Sequence, residues 1–187
     1  IKICDSLGLE FYMSNSPGWS GSGGPWITPD QSMKQLVYSE TKMPSGNTAP
    51  ISLARSKAYK GYYRDIAVIA IRADKAGVSQ ELLDRNAMTK MRYLPVNVPG
   101  DDTTNALQPN DIIDVTGYYD AAANKLNWKQ PGGNWIILRF GYTSTGKKIH
   151  PAVEEGSGFE VDKLDTAAVR FQFEQTVGRM IKEAGTY

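Results

Sequence analysis

The chain has 187 residues, 41% of them hydrophobic, 10% aromatic and 22% charged, and Lys+Arg 21 almost balance Asp+Glu 20. Four Trp, ten Tyr and five Phe supply the core material of an ordinary domain and exclude a disordered chain. The near-zero net charge argues against duplex binding, which draws its affinity from neutralising phosphates. No apolar run approaches the roughly 20 residues that span a bilayer as a helix.

At the N-terminus, Ile3 and Leu7 followed by Gly8 read as the last turn of a helix with its C-terminal glycine. Leu9 to Met13 (LEFYM) reads as a short strand, which together give the second half of an αβ unit. A loop rich in Gly and Ser follows, Ser14 to Trp26 (SNSPGWSGSGGPW). Thr28, Pro29 and Gln31 then spell the N-cap, first turn and capping box of a helix. Met43 to Ser56 looks like a linker.

Short strands separated by Gly, Pro and Asn punctuation occupy the middle. Tyr63 to Arg72 (YRDIAVIAIR) is one. Asp111 to Tyr119 and Lys125 to Trp128 are two more, joined by the turn Asp120–Asn124. Trp135 to Tyr142 (WIILRFGY) follows a Pro-Gly-Gly turn. The pattern predicts an antiparallel sheet or sandwich, with Trp128 and Trp135 in its core and Arg139 either outward or in a structural pair. Glu40 reads as a surface strand residue. Near the C-terminus, Gly158 to Lys163 (GFEVDK) reads as a brief strand. Asp165 then caps a helix whose Val169, Phe173, Val177, Met180, Ile181 and Ala184 recur at helical spacing until Gly185 stops it. Both ends therefore read as α/β pieces of a larger protein, with an all-β insertion between them.

One cysteine, Cys4, and one histidine, His150, exclude an intrachain disulfide, a cysteine-built zinc site and a His-pair metal site. Hydrolytic chemistry would rest on carboxylates. Three stretches could carry it. In the glycine loop, Trp19 and Trp26 with Asn15 and several serines suit a sugar, whose C–H face stacks on aromatic rings while its hydroxyls take hydrogen bonds. The same tryptophans could equally plug a core, and no phosphate-binding glycine motif is present. Glu160 and Asp162 alternate along a strand end and so share a face. They could protonate a leaving group, polarise a water or ligate calcium, or simply be solvated carboxylates beside Lys163. His150, held extended before Pro151, could bind a hydroxyl or be an ordinary loop residue.

The runs GWSGSGGPWITPDQSMKQLVYSE, KAYKGYYRDIAVIAIRA and PGGNWIILRFGYTSTGKKIHPA, followed by GFEVDKLDTAAVRFQFEQTVGRMI, resemble glycoside hydrolase family 106, the α-L-rhamnosidases of plant-polysaccharide-degrading bacteria. The likeness runs along the chain in the family's order, more weakly from about Val78 to Asn105. It implies a mixed α+β fold in which partial (β/α)-barrel segments, residues 1–42 and 149–187, flank an inserted antiparallel β-sandwich, residues 57–148, with 43–56 as linker. It further implies inverting hydrolysis of terminal α-L-rhamnosides by two carboxylates, with Glu160 and Asp162 as catalytic candidates. Asn15, Trp19, Trp26 and His150 become the substrate-binding candidates. Calcium (Ca²⁺) as cofactor, a rhamnose-containing glycan and the rest of the chain's own barrel as partners, and a periplasmic or extracellular location are implied in the same way. Where family members commonly read Gly-Leu-Glu-Cys-Asp-Lys, this chain has Phe159 and Val161 around the same two carboxylates. A fragment of such a barrel would be inactive alone, and the rival from another class is a carbohydrate-binding or structural module built on Tyr118, Tyr119 and Trp128.

Overall fold

The computed structural model describes residues 1–73 and 108–185; the whole of the weakly matching stretch 78–105 lies outside them. The fold is mixed, mostly antiparallel sheet with few helices. Chain order runs α1 (Lys2–Ser6), β1 (Gly23–Gly24), β2 (Lys34–Met43), β3 (Ile51–Ser52), β4 (Arg64–Arg72), β5 (Ile112–Asp114), β6 (Tyr119–Asp120), β7 (Lys125–Leu126), β8 (Trp135–Ser144), β9 (Phe159–Glu160), α2 (Thr166–Gln175) and α3 (Val177–Ala184). The chain divides into two compact units, one of Ile1–Val37, Lys57–Arg64 and Gly141–Tyr187, the other of Tyr38–Ser56 and Asp65–Phe140.

The second unit is the β-rich one. Its strands belong to a sheet in the order β2-β8-β4-β5 and to a three-stranded sheet β3-β7-β6. The pairings β4 with β5, β3 with β7 and β6 with β7 are antiparallel. Along β8, alternate residues are buried, as a strand with one face on a core requires. Trp135 and Ile137 from β8 join Met43, Val68, Ala70, Val115, Leu126 and Trp128 in a single core, the two indoles meeting edge to face at 5.1 Å. The β6–β7 turn forms as its sequence dictates: the Asp120 carboxylate accepts hydrogen bonds from the amides of Ala122 and Ala123, and Asn124 takes the left-handed conformation at φ 52°. Arg139 pairs structurally. Its guanidinium forks onto both Asp65 oxygens at 2.7 and 2.9 Å, donates to Asn124 Oδ1 and lies 4.9 Å over the Tyr119 ring. Residues 43–56, read as linker, include β3 and place Met43 and Leu53 in the core of this unit.

The first unit departs from the sequence reading at three places. Residues 9–13 form no strand, and Leu9, Phe11, Tyr12 and Met13 are exposed; a lone extended segment needs a neighbouring ladder to become a strand. The capping signal at Thr28 is real but starts no helix. Gln31 Oε1 accepts from the Thr28 amide and hydroxyl, and the Gln31 amide donates to the Thr28 carbonyl, yet the chain turns and enters β2 at Lys34. Tertiary pairing overrides the cap here. Ser32, buried, bonds the Pro29 carbonyl and the Ser144 hydroxyl and bridges to Val161, which draws residues 31–33 alongside the late strand. Finally, the C-terminal helix breaks at Thr176 into α2 and α3, and its buried residues are Ala168 and Gln172 rather than the apolar stripe. Val169 (40% exposed), Phe173 (46%) and Ile181 (58%) face outward. The Asp165 cap forms as read, its carboxylate accepting from the amides of Ala167 and Ala168, and Gly185 ends α3 at φ 70°.

Candidate functional site

The glycine loop and the acidic strand end, far apart in sequence, are paired backbone to backbone in the first unit. β1 runs antiparallel to β9 with Gly23 opposite Glu160 and Gly24 opposite Phe159. The Val161 amide donates to the Ser22 carbonyl at 2.9 Å, and the Glu160 amide to the Lys147 carbonyl on the strand's other side at 3.1 Å. Glycine is required for this approach. A Cβ on Gly23 would stand 2.1 Å from the Phe159 carbonyl oxygen, and one on Gly158 would stand 1.8 Å from the Gly24 carbonyl oxygen. Beneath the pairing, Ile27, Phe159, Val161 and Ala168 form a small core.

Glu160 reaches across to the tip of the loop. Its Oε1 accepts from the Gly18 amide at 2.7 Å and from the Lys163 ammonium, and the Gly18 carbonyl accepts from the His150 amide at 2.8 Å. Both hydrogen bonds to the carboxylate fall on Oε1; among the described residues Oε2 accepts none. Gly18 sits at φ 78°, a conformation open to glycine, and the next residue, Trp19, presents its indole 57% exposed. His150 itself is exposed at a cis peptide bond to Pro151. Asp162 is enclosed differently. It is 8% exposed, its Oδ2 meets the Lys34 ammonium at 2.8 Å, and its Oδ1 accepts from the Leu164 amide at 3.0 Å.

Trp26 is half-buried, and its indole Nε1 donates to Gln172 Oε1 at 2.7 Å. Asn15 lines a cavity of about 330 Å³ with Lys163 and Gln172, and with Val169, Phe173 and Val177 as its apolar wall. The six residues singled out from sequence therefore all belong to the first unit. Glu160, Trp19 and the His150 backbone converge on Gly18, Trp26 and Asn15 flank the loop on the α2 side, and Asp162 turns toward Lys34. Sequence reasoning set Lys163 beside the two carboxylates, and it does pair with Glu160; it missed Lys34 and above all Gln172. The one available signal for Gln172 was an uncharged polar residue four positions after Ala168 on a helix already predicted to pack.

Two titratable groups nearby are shifted. The Thr28 hydroxyl, donating at 2.6 Å, holds the Asp30 carboxyl below the ordinary range, with Lys34 and Arg64 adding to the effect. Burial, reinforced by Tyr142, pushes the Tyr62 phenol up. The carboxylates do not fit a calcium site as they stand. Glu160 and Asp162 each already face a lysine ammonium, whereas calcium takes six to eight oxygens. No group of three or more His, Cys, Asp or Glu side chains is placed to hold a metal among the described residues. The aromatic strip that a binding module would need is also not formed. Trp128 is 9% exposed, Tyr119 lies under Arg139, and of the three candidates Tyr118 alone is well exposed.

A family model described as alpha-L-rhamnosidase, that of glycoside hydrolase family 106, matches residues 1–84 and 84–187. The chain belongs to this family. A curated relative from Formosa agariphila, described as "Putative beta-glucuronidase", is 36% identical over 184 residues, which is 96% of this chain and 16% of the relative. The family member thus spans about a sixth of the length of the curated relative it matches. Among solved structures, a rhamnosidase from Novosphingobium sp. PP1Y aligns with a TM-score of 0.61 at 21% identity, covering 97% of this chain and 30% of that one. At that identity the likeness shows a shared fold. No helix among the family-106 chain's described residues is long and apolar enough to cross a membrane.

Proposed function

We propose that this chain forms one wall of the sugar pocket of a longer exported enzyme, periplasmic or extracellular, which hydrolyses terminal α-L-rhamnosides of plant-type polysaccharides with inversion. The observation that carries this reading is the bond between Glu160 and the amide of Gly18, the residue before the exposed Trp19. Family membership supports the chemistry. In an inverting glycosidase one carboxylic acid protonates the leaving oxygen. A second carboxylate takes a proton from water as the water oxygen bonds the anomeric carbon from the opposite face, the two standing roughly 6.5–9.5 Å apart. Glu160 is the candidate on this chain, acting through Oε2. Asp162, with both oxygens engaged, anchors Lys34. The other reacting carboxylate comes from barrel segments beyond this chain, and the exposed side chains of Val169, Phe173 and Ile181 give those segments an apolar face to cover. The proposed chemistry runs through no calcium ligand on this chain.

The experiment compares the longer protein with the 187-residue chain on rhamnosylated glycans, with proton NMR of the first-released anomer. The longer protein is expected to release β-rhamnose first, Trp19→Ala to raise its KM, and the short chain to release nothing. Release of α-rhamnose first refutes inversion. Absence of rhamnose release by the longer protein on any such substrate refutes the reading as a whole.

A further inference from the structure

We infer that Gln172, a helical glutamine with no part in bond breaking, is the positioning residue that sets the tryptophan-bearing loop for carbohydrate recognition. This rests on the reading that the loop binds sugar. Gln172 is 5% exposed, and its amide is used on both sides. Oε1 accepts from the Trp26 indole at 2.7 Å, while Nε2 donates to the carbonyls of Gly21 and Gly23, each at 3.0 Å. A glutamine amide has two donors and an acceptor group, so both donors and the acceptor oxygen are engaged, and all three bonds end within residues 21–26. The two carbonyls would otherwise be backbone acceptors of a glycine-rich segment with little side-chain packing of its own. Between them lies Ser22, whose amide and hydroxyl both donate to the Trp19 carbonyl. Gln172 is therefore joined to Trp26 directly and to Trp19 through one fixed residue.

Helix α2 turns this polar residue inward at the expense of Val169 and Phe173, an inversion of the hydrophobic order that three simultaneous hydrogen bonds explain. Stacking residues fixed before the sugar arrives lose less freedom on binding.

The test uses Gln172→Glu, Gln172→Met and Trp26→Phe in the 187-residue chain. Glutamate keeps the acceptor for the indole and replaces the amide donor with an oxygen facing two carbonyls. Methionine keeps the length and removes all three bonds. Trp26→Phe breaks the indole bond from its half-buried end and is read by affinity alone, which should fall less than in Gln172→Met because both Gln172 donors stay engaged. Two signals are followed: the Trp26 indole N–H resonance of this chain, and the affinity of the longer protein carrying the same substitutions for methyl α-L-rhamnoside.

In the unsubstituted chain the indole resonance is expected to be protected from exchange. Methionine should move it and weaken binding about tenfold, the ratio expected when roughly one net hydrogen bond's worth of loop order is lost. Glutamate should preserve indole protection and still weaken binding. An indole resonance that Gln172→Met leaves unmoved overturns the inference. So does a moved resonance with unchanged affinity, since it makes the glutamine structural only. If the unsubstituted longer protein binds no rhamnoside, the sugar-binding reading fails together with the recognition half of the inference, while the indole resonance still decides the positioning half.

Discussion

Replacing Asp162 separates a structural carboxylate from a reacting one. In Asp162→Ala the Lys34 ammonium, with 19% of its side chain exposed, loses its partner, and the Leu164 amide loses its acceptor. Breaking a fully buried ion pair by removing one partner costs about 3–5 kcal/mol. Both side chains keep some contact with water, 19% and 12%, which brings the ionic part to about 2 kcal/mol. The lost amide bond adds about 1 kcal/mol. The sum, about 3 kcal/mol, corresponds to a fall in Tm of roughly 6–12 °C for a domain of this size. Asp162→Asn keeps an acceptor for Leu164 and should cost about 1–2 kcal/mol. Lys34→Met combined with Asp162→Ala should cost clearly less than the two single changes together, because no charge is left stranded. Urea unfolding followed by tryptophan fluorescence, with amide exchange at Leu164, measures each. An Asp162→Ala chain within about 0.5 kcal/mol of the unsubstituted one would refute the reasoning. So would an Asp162→Asn form of the longer enzyme that keeps its stability and loses turnover, since that is the behaviour of a reacting group.

Gly23→Ala should destabilise the first unit by about 2 kcal/mol or more, because the new methyl meets the Phe159 and Glu160 backbone, which cannot move aside, as well as the Ile149 side chain; Gly117→Ala, with open space around its Cβ, should stay within about 0.5 kcal/mol, and urea midpoints compare the two. Stability should also decline above the ordinary phenol pKa of about 10. Tyr62 and Tyr119 are both raised, chiefly by burial, so between their unfolded and folded values the unfolded chain holds fewer protons than the native one and rising pH favours unfolding. Tyr62→Phe should flatten that decline, as followed by urea midpoints between pH 9 and 11.

Much of this was legible in the residues, for reasons that differ from element to element. β4 and β8 announced themselves through β-branched and aromatic composition, the β6–β7 turn through Asp120 and Asn124, and the α2 start through Asp165, all of which act within a few residues of themselves. The glycine loop and Glu160 were each singled out for the chemistry they could offer, and the fold brings them together. What failed were inferences in which a local signal met a distant competitor. Thr28 and Gln31 make their capping contacts, but the pull of Val161 and Ser144 on Ser32 turns the chain into a strand. The apolar spacing of Val169, Phe173 and Ile181 named the wrong face of the last helix, because Gln172 finds three partners in a loop roughly 150 residues earlier. Periodicity counts apolar residues; it has no means of weighing a polar side chain whose partners lie elsewhere in the sequence.

The bond from the Gly18 amide to Glu160 joins residues 142 positions apart, and this separation has a consequence for biosynthesis. At roughly 5–20 residues per second, a ribosome needs about 7–28 s to deliver the second partner after the first. Through that interval the nascent loop has neither its β9 strand nor its helical glutamine, and the Trp26 indole lacks its hydrogen-bond acceptor. The first unit is thus assembled last, when its own C-terminal segment leaves the exit tunnel, whereas the β-rich unit has its whole sequence available earlier.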